Sequence, residues 1–128
     1  MILCDTNILI EIYRGNNEII KTFKGIGQGS VAVSDVTCAE LFYGARNKRE
    51  LQIIQKDLNK LTILPIKTDI STMAVELVAK FALSHKISLP DALIAATAIF
   101  QNIELYTLNR KDFKFIDNIR LFDSNLQT

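Results

Sequence analysis

The sequence predicts an α/β fold: a three-layer α/β/α sandwich around a central, mainly parallel sheet. Three observations predict it. Short apolar runs such as "VAVS" and "TILPI" are bounded by polar or glycine-containing stretches, as strands are. Between them lie longer segments whose apolar residues recur at helical spacing. Strands alternating with helices give βαβ units, which set the strands parallel and cover both sheet faces.

The elements follow in order. Met1 to Cys4 is apolar and suits a short buried strand. Asn7 to Arg14 reads as a helix ended near Gly15, and Asn17 to Lys24 as a second with Ile19, Ile20 and Phe23 inward. "GIGQGS" then makes a turn; a phosphate-binding glycine loop would follow a strand and open a helix, and here the order is reversed. Val31 to Ser34 is the second strand, and Asp35 is placed to cap a helix reaching about Ala45. Glu50 to Leu61 carries Leu51, Ile54, Leu58 and Leu61 on one stripe, and "TILPI" is the third strand. Asp69 to Lys86 puts Ile70, Met73, Leu77, Val78 and Phe81 on one face, with Glu76 and Lys80 paired outside. Pro90 to Gln101 is almost wholly apolar, which predicts a central helix. Ile103 to Leu108 is a strand, "NRKDF" a loop, and "RLF" a last edge strand.

At 128 residues the chain reads as one domain, residues 1–128, long enough to bury a core. No basic region precedes the first apolar residues, and the longest apolar run falls far short of the roughly 20 residues that span a bilayer. A cytoplasmic protein without a membrane segment is expected. Cys4 and Cys38 lie in apolar stretches and read as buried hydrophobes; His85 stands alone, so no Cys/His metal spacing exists. The net charge of +1 lacks the basic excess of a dedicated duplex-DNA binder. Two local basic clusters occur, Arg46 with Lys48 and Arg49, and Arg110 with Lys111 and Lys114. A solvated face is their default explanation.

Three carboxylates stand out. Asp5 ends a buried strand, Glu40 is the only charge between Val36 and Ala45, and Asp91 is the only charge between Ile87 and Ile103. Asp5 and Asp91 have helix-capping explanations, the latter in the capping-box pattern "SLPD" with Ser88 as cap. A cap does not explain Glu40 in mid-helix. In open α/β sheets ligands bind beyond the carboxyl ends of the strands. Asp5 and the loop bearing Asn109 and Asp112 are placed there, and Glu40 and Asp91 lie on helices that begin nearby. At ~5 Å and an effective dielectric of ~20, each like-charged pair costs roughly 3 kcal/mol. Either the pKa values rise or a divalent cation neutralises the cluster. An all-oxygen donor set suits Mg²⁺ or Mn²⁺. Such sites cleave phosphodiesters, and the basic clusters would then rim the site for an anionic backbone.

Taken together, "LCDTN", "SDVTCAELFYGA", "LPDALIAATA" and "LYTLNRKDF" resemble the PIN domain in the form of bacterial VapC ribonuclease toxins, in the family's order and over nearly the whole chain. The resemblance implies an acidic pocket holding one or two Mg²⁺ or Mn²⁺ ions and endonucleolytic cleavage of single-stranded or looped RNA, often tRNA. By match, Asp5, Glu40, Asp91 and Asp112 are the catalytic acids. Asp5 and Asp91 would ligate metal directly, and Glu40 and Asp112 directly or through water. Thr6, Asn7 and Asn109 would shape the pocket by hydrogen bonding. Arg46, Lys48, Arg110 and Lys111 would contact RNA. The resemblance also implies a homodimer and a VapB-type antitoxin partner. Three other readings compete: an aspartate-based phosphohydrolase, disfavoured because Asn7 stands where a second Asp is usual; a silent PIN-like domain binding RNA or protein; and a nuclease acting on DNA.

Overall fold

The computed structural model describes residues 1–124. Strand β1 (Ile2–Cys4) leads into α1 (Thr6–Tyr13) and α2 (Asn17–Ile26). Strand β2 (Val31–Ser34) leads into α3 (Asp35–Tyr43) and α4 (Lys48–Leu58). Strand β3 (Thr62–Leu64) precedes α5 (Thr68–His85) and α6 (Leu89–Gln101), and β4 (Glu104–Tyr106) follows. The sheet order is β3-β2-β1-β4, and every ladder is parallel. The α/β/α expectation therefore holds, and the first strand is central because it pairs with both β2 and β4.

Side chains alternate across the sheet and so supply two cores. On one face Leu3, Ala32 and Leu105 pack with Ile70 and Ala74 of α5 and Ala92, Ile94, Ala95 and Ala98 of α6. On the other, Cys4, Val31 and Tyr106 pack with Ile8 and Ile19, while Val33 meets Leu9, Cys38, Leu41 and Leu58. The five consecutive residues Ile94 to Ala98 are buried, so α6 is enclosed on all sides, as its composition predicts. The apolar stripe of α5 also packs as expected, with Ile70 buried and Met73, Leu77, Val78 and Phe81 against the same core. Among the described residues no helix is long and apolar enough to cross a membrane.

Several boundaries differ from the sequence-based expectation, each for a local reason. Helix α1 begins at Thr6, because Asp5 itself is the cap and accepts from the Thr6 amide at 2.8 Å. Ser34, not Asp35, caps α3, and that helix stops at Tyr43. Asn47 caps α4, which starts two residues earlier than expected, at Lys48. Helix α2 continues through Gly25 to Ile26, and Gln28–Ser30 forms a 3-10 turn. Gly27, at φ +91°, ends α2 in a conformation that side-chain-bearing residues rarely adopt. Lys80 turns away from Glu76 to meet Asp117 at 3.3 Å. "RLF" contributes one parallel bridge, Leu105 to Leu121, in place of a full strand.

The two thiols are silent. Cys4 is wholly buried, and burial, with Asp5 adding to it, pushes its pKa up to about 12. Burial likewise raises Cys38. Both behave as small hydrophobes, as their sequence context predicts.

Candidate active site

The parallel sheet brings Asp5 and the segment after β4 to one end of adjacent strands. Asp5 is only 6 % exposed. Its Oδ1 accepts from the Thr6 amide at 2.8 Å and its Oδ2 accepts from the Thr107 hydroxyl at 2.8 Å. Burial pushes the Asp5 carboxyl up, the Thr107 and Thr6 hydrogen bonds pull it down, and the charges of Glu40 and Asp112 push it up again.

Glu40 is joined to the same turn from α3. The Thr6 hydroxyl lies 2.7 Å from Glu40 Oε1 and 3.0 Å from the Thr37 hydroxyl. Thr6 has one proton to give, so with Glu40 ionised it donates to the carboxylate and accepts from Thr37. Thr37, one turn before Glu40 on α3, is wholly buried. Glu40 is exposed overall, yet its carboxylate is tied to Thr6.

Asp91 enters from the head of α6, where Ser88 caps the helix and accepts from the Asp91 amide at 3.3 Å. Its pKa rises to about 6, first by burial and then by the charges of Asp5, Asp112 and Glu40, with Ser88 opposing. Asp112 closes the 3-10 turn Arg110–Asp112, its amide donating to the Asn109 carbonyl at 3.0 Å. The next residue, Phe113, is 1 % exposed in the α5/α6 core and pins the loop. Four carboxylates from four separate chain segments thus share one electrostatic environment, with Asp91 feeling the other three.

Asn7 and Asn109 shape the same corner. Asn7 Oδ1 accepts from the Leu108 amide at 3.3 Å and its Nδ2 donates to the Thr107 hydroxyl at 3.4 Å. The Asn109 amide donates to that hydroxyl at 3.1 Å. Thr107 and Thr37 were invisible as site residues in the sequence, because threonine suits strands and helix starts without any further role. The signal for Thr107 was a polar residue where the strand "ELYTL" hands over to the acidic loop.

The basic residues divide. Arg46 is bound to Glu50 at 2.8 Å on the surface, and the Arg46 amide donates to the same carboxylate. Arg110 donates to the Phe122 carbonyl at 2.9 Å. Lys48 and Lys111 are exposed and make no ion pair among the described residues.

The donor set is oxygen throughout, and its mutual repulsion is of the kind a hard divalent cation relieves. Among the described residues no three His, Cys, Asp or Glu side chains are grouped so as to hold one ion between them. The fit is therefore of charge and donor type rather than of a finished cage, which suits Mg²⁺, an ion usually held by one or two carboxylates with water completing its shell.

Known proteins resemble this chain along most of its length. Ribonuclease VapC10 of Mycobacterium tuberculosis is 32% identical over 125 residues, covering 94% of this chain and 91% of the relative. The tRNA(fMet)-specific endonuclease VapC of Shigella flexneri is 25% identical over 126 residues, covering 94% and 96%. A chain in a toxin–antitoxin complex from Klebsiella pneumoniae superposes with a TM-score of 0.79 at 34% identity, covering 93% of this chain and 95% of that one. A chain of VapBC2 from Rickettsia felis, solved bound to a promoter DNA fragment, gives 0.78 at 28% identity, covering 95% and 98%. The PIN domain model matches residues 2–118, a span that contains all four acids and every hydrogen bond described around them. The chain belongs to the PIN domain family.

Proposed function

We propose that this chain is a Mg²⁺- or Mn²⁺-dependent endoribonuclease, the toxin of a type II toxin–antitoxin pair, and that it cleaves structured RNA such as tRNA. The observation that carries this reading is the convergence of Asp5, Glu40, Asp91 and Asp112, whose charges add to burial in raising Asp91 to about 6. The names of its relatives, ribonucleases and VapBC complexes, support the substrate class and a VapB-type antitoxin partner. The homodimer is carried over from the family resemblance alone.

Asp5 and Asp91 are the residues that would hold one or two ions directly, with Glu40 and Asp112 ligating directly or through water. The bound cation supplies the Lewis acidity that activates water and stabilises the departing oxygen. The chain's own groups do the rest. Thr6 and Thr107 orient Asp5, Thr6 with Thr37 orients Glu40, and Phe113 anchors the loop of Asp112. Of the four predicted RNA contacts, Lys48 and Lys111 are the two that make no ion pair or hydrogen bond among the described residues, and they would meet the backbone phosphates. Arg46 and Arg110 would exchange their contacts with Glu50 and the Phe122 carbonyl for phosphate.

The purified protein and its Asp91→Asn variant, incubated with total bacterial RNA in Mn²⁺, Mg²⁺ or EDTA, test the reading by sequencing of new ends. Discrete cuts that require metal and vanish in the variant are expected. Metal binding without cleavage would favour a binding domain. Turnover of small phosphate esters alone would favour the phosphohydrolase, and preference for DNA in competition would change the substrate.

A further inference from the structure

The Thr107 side chain is 102 residues from Asp5 in sequence and meets it at the heart of the site. A hydroxyl has one proton and two acceptor lone pairs. Two of the three neighbours of Thr107 Oγ1 can only donate to it: the Asn109 amide at 3.1 Å and Asn7 Nδ2 at 3.4 Å. The Asn7 carboxamide cannot be turned over, because its other atom accepts from the Leu108 amide, and a backbone N–H never accepts. The Thr107 proton is therefore committed to Asp5 Oδ2, and the hydroxyl's capacity is full. With Oδ1 held by the Thr6 amide, both Asp5 oxygens have an assigned donor.

The same hydroxyl also fastens the loop. The first two amides after Thr107, those of Leu108 and Asn109, end on Asn7 and on Thr107 itself. The 3-10 turn bearing Asp112 begins immediately beyond them. One buried threonine, 4 % exposed, thus joins the turn that carries Asp5 to the loop that carries Asp112.

We propose that Thr107 is the positioning residue of the acidic site: its hydroxyl sets the orientation of Asp5 and holds the Asp112 loop in fixed relation to it. The proposal deepens the nuclease reading and rests on it for the activity measurement, though not for the structural one. Groups that orient metal-binding carboxylates typically change metal affinity or activity by 10–100-fold when removed. Valine is the nearest apolar isostere, and serine keeps the hydroxyl while losing the methyl.

The test compares the full chain with Thr107→Val, Thr107→Ala and Thr107→Ser. Mn²⁺ affinity is measured by calorimetry, kcat and KM on the RNA cut by the wild type, and amide hydrogen exchange at Asn109 and Asp112. Thr107→Val is expected to lose about 10–100-fold in Mn²⁺ affinity and a similar factor in kcat. Its KM should stay within about twofold, because phosphate contacts made elsewhere are untouched. Both amides should exchange faster, and Thr107→Ser should restore all three readouts. Should Thr107→Val fail to fold, Thr107→Ala carries the comparison. Failure of both to fold beside a normal Thr107→Ser would overturn the proposal in favour of a purely structural hydroxyl. So would wild-type behaviour of a folded Thr107→Val or Thr107→Ala, or a Thr107→Ser as impaired as the valine variant. If the wild type itself binds no Mn²⁺, the nuclease reading fails. The positioning role then stands or falls on whether exchange at Asn109 and Asp112 quickens in the variants that lack the hydroxyl.

Discussion

The turn after β1 and the head of α6 each contribute an aspartate to the same acidic cluster, and the two are held differently. Asp5 is almost fully buried and receives one hydrogen bond on each oxygen. Asp91 is half-buried, and after burial its strongest neighbours are the charges of Asp5, Asp112 and Glu40. Burial and like charge push both carboxyls up, but only the first has a hydrogen bond fixing each of its oxygens. Charge that folding leaves unrelieved at one end of a site is where an added cation gains most.

The largest effect that could break this contrast lies in catalysis. Asp5→Asn should lower RNA cleavage by on the order of 10²–10³-fold or more, as loss of a group acting on the transition state does. Its circular dichroism should stay that of the wild type. Full activity in that variant would remove Asp5 from the site. Next comes the frame that holds both aspartates. Ile94 is 1 % exposed at the centre of α6, and Ile94→Ala should cost about 2–5 kcal/mol in chemical denaturation. A smaller loss would mean that α6 is less tightly enclosed than its burial indicates.

A smaller effect separates the two aspartates directly. Asp91 titrates at about 6 in the fold, against an ordinary 3.8. Its ionised form is therefore disfavoured on folding. The penalty is absent below about pH 4, grows as pH rises, and is complete above about 6. Asp91→Asn should remove it, stabilising the metal-free protein at pH 7 by about 1 kcal/mol once the shift is discounted for solvent at a half-buried group. Divalent-ion affinity of the wild type should rise with pH through the same window, because the ion displaces a proton. Thermal melts of both proteins at pH 4 and pH 7, with and without Mg²⁺, read all of this; equal wild-type and variant curves would dissolve the contrast. Smallest of all, Glu50→Gln breaks the surface pair with Arg46 and should leave the melting temperature unchanged within error.

How much of this was legible in the sequence follows from range. The order of strands and helices is written in local periodicity, and it emerged intact. Asp5, Glu40 and Asp91 were legible because each is a charge where its neighbours are apolar. Asp112 was legible from its place after a strand's carboxyl end and from the family pattern, since an acid in "NRKDF" is by itself unremarkable in a loop. Thr107 and Thr37 were not legible, because the partners that bring them into the site, Asp5 and Thr6, lie 102 and 31 residues away. Arg46 and Arg110 looked alike as basic rim residues, yet one is spoken for by Glu50 four residues on and the other by the Phe122 carbonyl. Helix starts slipped for a simpler reason. Asp5, Ser34 and Asn47 were each eligible caps beside other eligible residues, and only backbone geometry chooses among them.

The central place of β1 has a consequence for how the protein is made. The first strand emerges from the ribosome early, but its partner β4, and the threonine that seats Asp5, come 102 residues later. At ordinary elongation rates of about 5–20 residues per second, that interval is roughly 5–20 s. Throughout it Asp5 exists without the hydroxyl that seats its second oxygen, while Glu40 already has Thr6 and Thr37 beside it. A chain still being made therefore lacks a finished acidic site until its last third, which carries Asp91, Thr107 and Asp112, has been added.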